Sequence, residues 1–282
     1  MADGCRNARA IRRRDRAHLG VMGARAVVLA VLFAVGCTAS RPVFPPDPAP
    51  GTLFRSLYLP QGTGPFPAVV LLHTCAGVGE NVVQWAHTLR AAGYAALVVD
   101  SFAPRGARSV CGNWAVTVDE VAIDAFAALR LLRERPGIDR DRIAVIGFSY
   151  GGMAALRVAS ARYRRKAGTP GFRAAVSLYP VCVSPRPDWS AETQERLTNL
   201  YGDVETPTLI LIGDADVDTP NVAVNCAATV AALRRAGRPV DIKLYPGAGH
   251  AFDQSWAYHA EAADDAVKTS LAFFGRHLGT TR

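Results

Sequence analysis

The chain has 282 residues, half of them apolar, with 25 Gly, 18 Pro, six Cys and a formal net charge of +8. That length and apolar share suffice for a sizeable core, so the expectation is one α/β domain plus a tail. Residues 1–36 hold seven Arg against two Asp, a net +5, leaving only +3 for everything after them; a basic nucleic-acid face on the folded part is therefore unsupported.

Arg12-Arg13-Arg14 and Arg25 precede Ala26 to Val35, ten residues without a charge. This suits the apolar region of a signal peptide and is too short to span a bilayer. Ala34-Val35-Gly36-Cys37 resembles a bacterial lipobox, in which the Cys becomes the lipidated first residue of the mature protein. Ala34 stands where Leu is preferred, so ordinary cleavage and a retained anchor stay open. Translation from Met22 would give a more compact leader. The expected divisions are a lipoprotein-type signal peptide over 1–36, a linker over 37–51 and one domain over 52–282. Five prolines between Arg41 and Pro50 favour an extended spacer that cannot join a sheet. The protein is expected to be exported, periplasmic or in the cell envelope, and anchored to a membrane through Cys37.

Leu53 to Leu59 reads as an edge strand. Pro67 to His73 lacks any period-two alternation and reads as a strand buried on both faces. Asn81 to Ala92 has helical spacing, with Val82, Trp85 and Leu89 on one face and Gly93 as its stop. A strand at Ala95 to Val99 and a long amphipathic helix at Val116 to Arg133 follow. Next come a strand from Ile143 into the Gly147 turn, a helix from Met153, and strands at Ala174 to Leu178 and Thr208 to Ile212. A helix at Cys226 to Ala236, a strand at Val240 to Tyr245 and a helix at Ala260 to His277 complete the chain. This alternation predicts an α/β fold with a mostly parallel sheet covered by helices on both faces. Sites in such sheets form at the carboxyl ends of the strands.

Three motifs stand at such ends. Gly147-Phe-Ser149-Tyr-Gly151 follows an apolar run and opens a helix, the pattern of a nucleophile elbow. Gly213-Asp-Ala-Asp-Val-Asp218 follows a later strand, and Gly247-Ala-Gly-His250 follows the last. A serine hydroxyl is a poor nucleophile until an imidazole takes its proton, and the imidazole needs a carboxylate to fix its tautomer. Ser149 and His250 are the candidates for the first two roles; Asp214, Asp216 and Asp218 are open for the third. The chain order Ser, Asp, His is that of α/β hydrolases. The amide of Tyr150, in the first turn of its helix, is a candidate oxyanion donor. No phosphate loop, dinucleotide fingerprint or metal cluster is recognisable, so no cofactor is expected.

At this point the chain resembles the dienelactone hydrolase family, in its branch of larger secreted relatives. The resemblance covers Leu53 to Leu278. It rests on His73-Thr-Cys-Ala-Gly77, Asp100-Ser-Phe-Ala-Pro-Arg-Gly106, Gly147-Phe-Ser-Tyr-Gly-Gly152, the loop from Gly213 to Pro220, and Gly247-Ala-Gly-His-Ala-Phe252. It implies an α/β-hydrolase fold with little lid and hydrolysis of ester or lactone bonds through an acyl-enzyme. It also implies Asp216, four residues before Pro220, as the acid, Cys75 as the second oxyanion donor, and Arg105 as the partner of a substrate carboxylate. The chain departs from the type enzyme in three places. Ser149 replaces a nucleophilic Cys, Thr74 replaces an acid beside the oxyanion amide, and Gln254 replaces a second Arg. The expected reaction is thus ordinary serine hydrolysis of a small-molecule ester or lactone by a monomer, with the substrate open.

With Cys5 in the leader and Cys37 in the lipobox, four cysteines remain in an exported domain. Cys75 with Cys111 and Cys182 with Cys226 are the expected bridges, each joining loops that follow separate strands at the same sheet edge. Trp114 and Phe252, with Trp189, Trp256 and Tyr201, are candidates to line an acyl pocket or simply to fill the core. Arg105 has an alternative partner in Asp100 or another acid. The rival to an esterase is a catalytically silent lipoprotein of the same fold that binds a small ligand.

Overall fold

A computed structural model describes residues 53–182, 202–217 and 222–279. The expected signal peptide, Cys37, the linker, Asp218, Trp189 and Tyr201 lie outside them. The described residues form strands β1 (Phe54–Tyr58), β2 (Phe66–Leu72), β3 (Ala95–Val99), β4 (Ile138–Phe148), β5 (Ala175–Leu178), β6 (Thr208–Gly213) and β7 (Val240–Tyr245). The helices are α1 (Glu80–Ala91), α2 (Val118–Glu134), α3 (Tyr150–Val158), α4 (Ala161–Ala167), α5 (Val222–Arg235) and α6 (Ala260–Leu278), with a short 3₁₀ turn at Ala103–Arg105. The sheet order is β1-β3-β2-β4-β5-β6-β7. Among the described residues only β1 runs antiparallel, paired with β3 at the edge.

The unbroken apolar strands fold as their lack of alternation requires. Ala68 to Leu72 and Ala95 to Val99 are buried at every residue, which is possible only where both sheet faces are covered. Each such Val or Leu contributes roughly 1.5–3 kcal/mol through removal from water. Strand β4 differs from expectation by starting at Ile138, because Asp139 to Arg142 are polar and mask its first half. Helix α2 begins at Val118 rather than Val116 because Thr117 caps it: the Thr117 hydroxyl accepts from the Glu120 amide at 3.2 Å, and the Glu120 carboxylate accepts from the Thr117 amide at 2.7 Å. Helix α5 starts four residues before Cys226, and α4 has too few residues to leave a periodic signature.

The β4–α3 turn is packed backbone against backbone. A Cβ on Gly147 would lie 2.0 Å from the Gly151 carbonyl oxygen, and one on Gly151 would lie 2.2 Å from the Leu72 carbonyl oxygen. Both neighbours are backbone and cannot yield, so glycine is required at each. Between them Ser149 takes φ +50°, a left-handed conformation that a residue with a side chain adopts only when its surroundings impose it. Its amide donates to the Leu178 carbonyl at 2.9 Å, tying the turn to β5.

One residue past β2, His73 is buried. Its Nδ1 lies 2.8 Å from the Thr74 carbonyl, and its Nε2 lies 3.1 Å from the Ser101 amide nitrogen. A carbonyl only accepts and an amide N–H only donates, so Nδ1 carries the proton, Nε2 accepts, and the ring is neutral. Burial pulls its pKa below the ordinary 6.5, against the smaller opposing effects of the Thr74 bond and the Asp100 charge. An unfolded chain therefore takes up this proton first. The stability that the neutral ring contributes is complete above about pH 6.5 and falls as pH drops toward the lower folded value. Thermal melts between pH 8 and pH 5 should show a steeper loss for the native chain than for His73→Gln; parallel curves would refute this role.

Candidate active site

The ends of β4, β6 and β7 bring three side chains together. His250 Nε2 lies 2.9 Å from Ser149 Oγ, and His250 Nδ1 lies 2.7 Å from Asp216 Oδ2. Asp216 is 5 % exposed, and at such a buried carboxylate the bond to the imidazole N–H is charge-assisted. Of the three Asp of the β6 loop, the two that are described, Asp214 and Asp216, separate by what they reach. Asp214 Oδ1 accepts from the Gly247 amide at 2.7 Å, and the Ala215 amide donates to the Ala248 carbonyl at 3.1 Å. These bonds hold the loop after β6 against the loop after β7 and leave Asp216 facing the imidazole.

The loop after β2 closes the opposite side. Thr74 to Gly77 form a tight turn in which the Gly77 amide donates to the Thr74 carbonyl at 3.1 Å and the Ala76 amide to the Thr74 hydroxyl at 3.2 Å. Cys75 is bonded to Cys111, and its carbonyl accepts from the Val110 amide at 2.8 Å and the Ser109 hydroxyl at 3.2 Å. The second bridge joins Cys182 to Cys226. Disulfides persist in oxidising compartments, so the two suggest an exported protein. Tyr150, first residue of α3, has its amide in the turn where helix N–H groups lack intrahelical partners. Its phenol donates to the Val116 carbonyl at 2.6 Å, and burial pushes its pKa up to about 12.

Three expected substrate contacts fare differently. Trp114 is exposed, with its ring 5.4 Å from that of Tyr150, the residue after Ser149. Phe252 is fully buried, its ring 5.4 Å from Tyr179 and 5.2 Å from Tyr245; it is a core residue rather than a pocket wall. Arg105 donates to both oxygens of Asp124 at 2.7 and 3.0 Å and to the Ser101 carbonyl at 2.7 Å. Asp124 on α2 is 1 % exposed. Burial raises its pKa against the opposing Arg105 bonds. Arg105 therefore serves as the counter-charge of a buried acid, and not of Asp100, whose carboxylate accepts from the Phe102 and Ala103 amides.

Sequence reasoning missed a second polar group behind the imidazole. The Tyr179 ring packs edge-on against His250 at 5.1 Å between centroids. Its hydroxyl donates to Asp253 Oδ1 at 2.6 Å, and Trp85 Nε1 donates to Asp253 Oδ2 at 2.8 Å. Burial raises the Asp253 pKa, opposed by these two bonds. Burial and the adjoining Asp253 charge push the Tyr179 phenol well above its ordinary range. Tyr179 follows β5 directly and has φ +37°; its place at a strand end was the available signal.

Comparison with known proteins gives one consistent result. A Methylorubrum extorquens protein named as a carboxymethylenebutenolidase is 29 % identical over 230 residues, covering 78 % of this chain and 75 % of that one. A Bradyrhizobium protein named as a 2-oxo-3-(5-oxofuran-2-ylidene)propanoate lactonase is 27 % identical, covering 79 % and 90 %. Among solved structures, one named as a dienelactone hydrolase from Klebsiella pneumoniae superposes with a TM-score of 0.63 at 25 % identity, covering 77 % of this chain and 89 % of that one. A Thermogutta terrifontis esterase with bound propionate shares the fold at a TM-score of 0.58 and 19 % identity, covering 80 % and 90 %. The described architecture is that of the α/β hydrolases, and the profile of the Dienelactone hydrolase family matches residues 55–278. The chain belongs to the dienelactone hydrolase family, enzymes that hydrolyse ester and lactone bonds.

Proposed function

We propose that this protein is an exported serine hydrolase that cleaves small carboxylic esters or lactones through an acyl-enzyme, with Ser149 as nucleophile. The continuous hydrogen-bonded line from Asp216 through His250 to Ser149 carries this reading. Asp216 holds the proton on Nδ1, so Nε2 presents its lone pair to the Ser149 hydroxyl. As Oγ attacks the ester carbonyl, its proton passes to Nε2, and Asp216 stabilises the imidazolium that forms. The carbonyl oxygen becomes an oxyanion, held by the amide N–H groups of Tyr150 and Cys75. His250 then gives its proton to the leaving alkoxide, and a water, deprotonated by the same nitrogen, releases the acid. The relatives named as a lactonase and a carboxymethylenebutenolidase support the bond class. The engagement of Arg105 with Asp124 argues against a substrate carboxylate bound at that side chain.

Incubation with a fluorophosphonate probe tests the nucleophile. The native chain should label and Ser149→Ala should not; absent labelling, or equal labelling of both, would favour a ligand-binding lipoprotein of this fold. Asp216→Asn should lower kcat by about four orders of magnitude with KM little changed, the loss expected when the imidazole adopts the wrong tautomer.

The Cys75–Cys111 bridge, two hydrogen bonds and the Thr74 turn together immobilise the Cys75 amide, and a preorganised donor is worth about a hundredfold to a thousandfold in acyl transfer. Replacing both Cys75 and Cys111 by Ser should lower kcat at least about tenfold while KM moves little. Equal kcat in the two proteins would show that the backbone bonds alone hold the donor.

The membrane anchor rests on Cys37 and its lipobox-like context. Detergent phase partition of the expressed full chain should place it in the detergent phase and Cys37→Ser in the aqueous phase; native protein in the aqueous phase would end the lipid-anchor proposal.

A further inference from the structure

A recess of about 700 Å³ opens at the end of the sheet opposite the hydrogen-bonded line. Ser149 and Asp216 follow the last residues of β4 and β6, whereas the recess is built where β4, β5 and β6 begin. Five of its lining residues are arginines: Arg140 and Arg142 from β4, Arg173 just before β5, Arg133 from α2 and Arg164 from α4. The walls from β4 and β5 are joined, since the Arg173 amide donates to the Ile143 carbonyl at 2.8 Å. Behind the charges, the buried residues Leu129, Ile143 and Phe172 contribute apolar surface to the lining.

Three of the five guanidinium groups are fixed by carboxylates. Arg142 Nε donates to Asp139 Oδ2 at 2.7 Å, and Arg164 Nη2 donates to Glu205 Oε2 at 2.6 Å. Arg133 Nη1 donates to the Arg140 carbonyl at 2.6 Å and lies 3.4 Å from Asp141 Oδ1. The Arg164 stem is seated as well, because a Cβ on Gly171 would come 3.0 Å from its Cδ. Arg140 and Arg173 are exposed, and neither has a carboxylate partner among the described residues. A guanidinium cannot lose its proton and carries five N–H donors. Two full charges therefore stay uncompensated, while the fixed groups keep donors to spare.

That balance selects the ligand. Like charges around one recess repel each other unless an anion answers them, and guanidinium forks match the oxygens of carboxylate and phosphate. A carboxylate carries one negative charge, which leaves half of the excess. A phosphate monoester carries about −1.5 to −2 at neutral pH and three acceptor oxygens, enough for both unpaired arginines and a fixed one. His277, also in the lining, adds no further charge at neutral pH. Burial first, and then the Arg276 and Arg173 charges, hold its pKa below the ordinary 6.5 against the opposing Asp241. The apolar residues behind the arginines suit an organic group on the phosphate, since inorganic phosphate would leave them facing water.

We infer that this recess is an anion site, separate from the catalytic one, that binds the phosphate monoester group of an organic ligand through Arg140 and Arg173, with Arg133, Arg142 and Arg164 as fixed neighbours. The inference is independent of the serine-hydrolase reading. Binding is reversible, and no covalent bond changes at the site. A phosphate monoester group is found on soluble esters and on lipid headgroups, and the experiment separates these two sources.

Isothermal titration calorimetry of the full chain with phenyl phosphate, benzoate and phenol compares one ring carrying about two, one and no negative charges. We expect phenyl phosphate to bind at least about tenfold more tightly than benzoate, the scale of one further charge-assisted hydrogen bond, and phenol not to bind. Its affinity should fall as sodium chloride rises from about 0.05 M to about 0.5 M, because salt screens exposed charges. The double variant Arg140→Gln/Arg173→Gln should weaken phenyl phosphate at least about tenfold and leave the cleavage of p-nitrophenyl acetate as in the native chain. No saturable binding of phenyl phosphate, equal affinity for benzoate, or unchanged affinity in the double variant would overturn the inference. So would loss of binding once Ser149 carries a fluorophosphonate label, since that would place the anion at the catalytic site. Sedimentation of the Cys37→Ser chain with phosphatidylcholine vesicles, with and without phosphatidic acid, then names the source. Co-sedimentation with phosphatidic acid alone assigns the site to a lipid headgroup, and chain left in the supernatant assigns it to a soluble ester.

Discussion

The contact of backbone with backbone under the Ser149 turn constrains everything else in the site. Gly147 meets the Gly151 carbonyl and Gly151 meets the Leu72 carbonyl with no room for a Cβ. Through them β4, α3 and the end of β2 are pressed into one point. Because α3 then starts directly after Ser149, its first amide, that of Tyr150, stands next to the serine, as the proposed oxyanion contact requires. Because Gly151 sits on the end of β2, the Cys75 turn that follows β2 lies close to the start of α3. A Cβ at either glycine would collide with backbone and force these three elements apart.

Around this crowded centre the protein places buried charge in pairs. Asp216 meets His250, Asp124 meets Arg105, and Asp253 meets the hydroxyl of Tyr179 and the indole of Trp85. Asp216 and Asp124 are buried and Asp253 is half-buried, so each needs donors nearby, and an unpaired buried one would cost several kcal/mol. The burial that raises the pKa of Asp124 and Asp253 also strengthens their bonds, which fixes the rotamers of Arg105 and Tyr179. Tyr179 in turn limits where the His250 ring can stand. His73 is the neutral counterpart: uncharged, with both ring nitrogens bonded, it joins the loop after β2 to the loop after β3.

The two disulfides act on the loops rather than on the sheet. The core of β2, β3, β4 and β6 is apolar and buried without them, whereas Cys75 and Cys111 lie on the loops after β2 and β3. Covalent closure removes conformational freedom that these loops would otherwise keep. The same logic explains why Cys226 of α5 is tied to Cys182, at the start of the chain segment leaving β5.

The sequence by itself determined the parallel sheet, the strand ends and two of the three residues in the hydrogen-bonded line. Buried strands are legible because every residue in them is apolar, and Ser149 and His250 are legible because glycines crowd around them. The choice of Asp216 over Asp214 came from a family spacing, since three acids at alternate positions look alike locally; the fold separates them by giving Asp214 to the Gly247 amide. Arg105, Phe252 and Asp253 were decided by tertiary structure alone. Arg105 has an acid within reach in several directions, and only the packing of α2 makes Asp124 its partner. Phe252 lies two residues from His250, yet it points into the core between Tyr179 and Tyr245. Tyr179 and Asp253 are 74 residues apart. A bond across that separation leaves no pattern in either neighbourhood, and it forms only because β5 and the loop after β7 end at the same place.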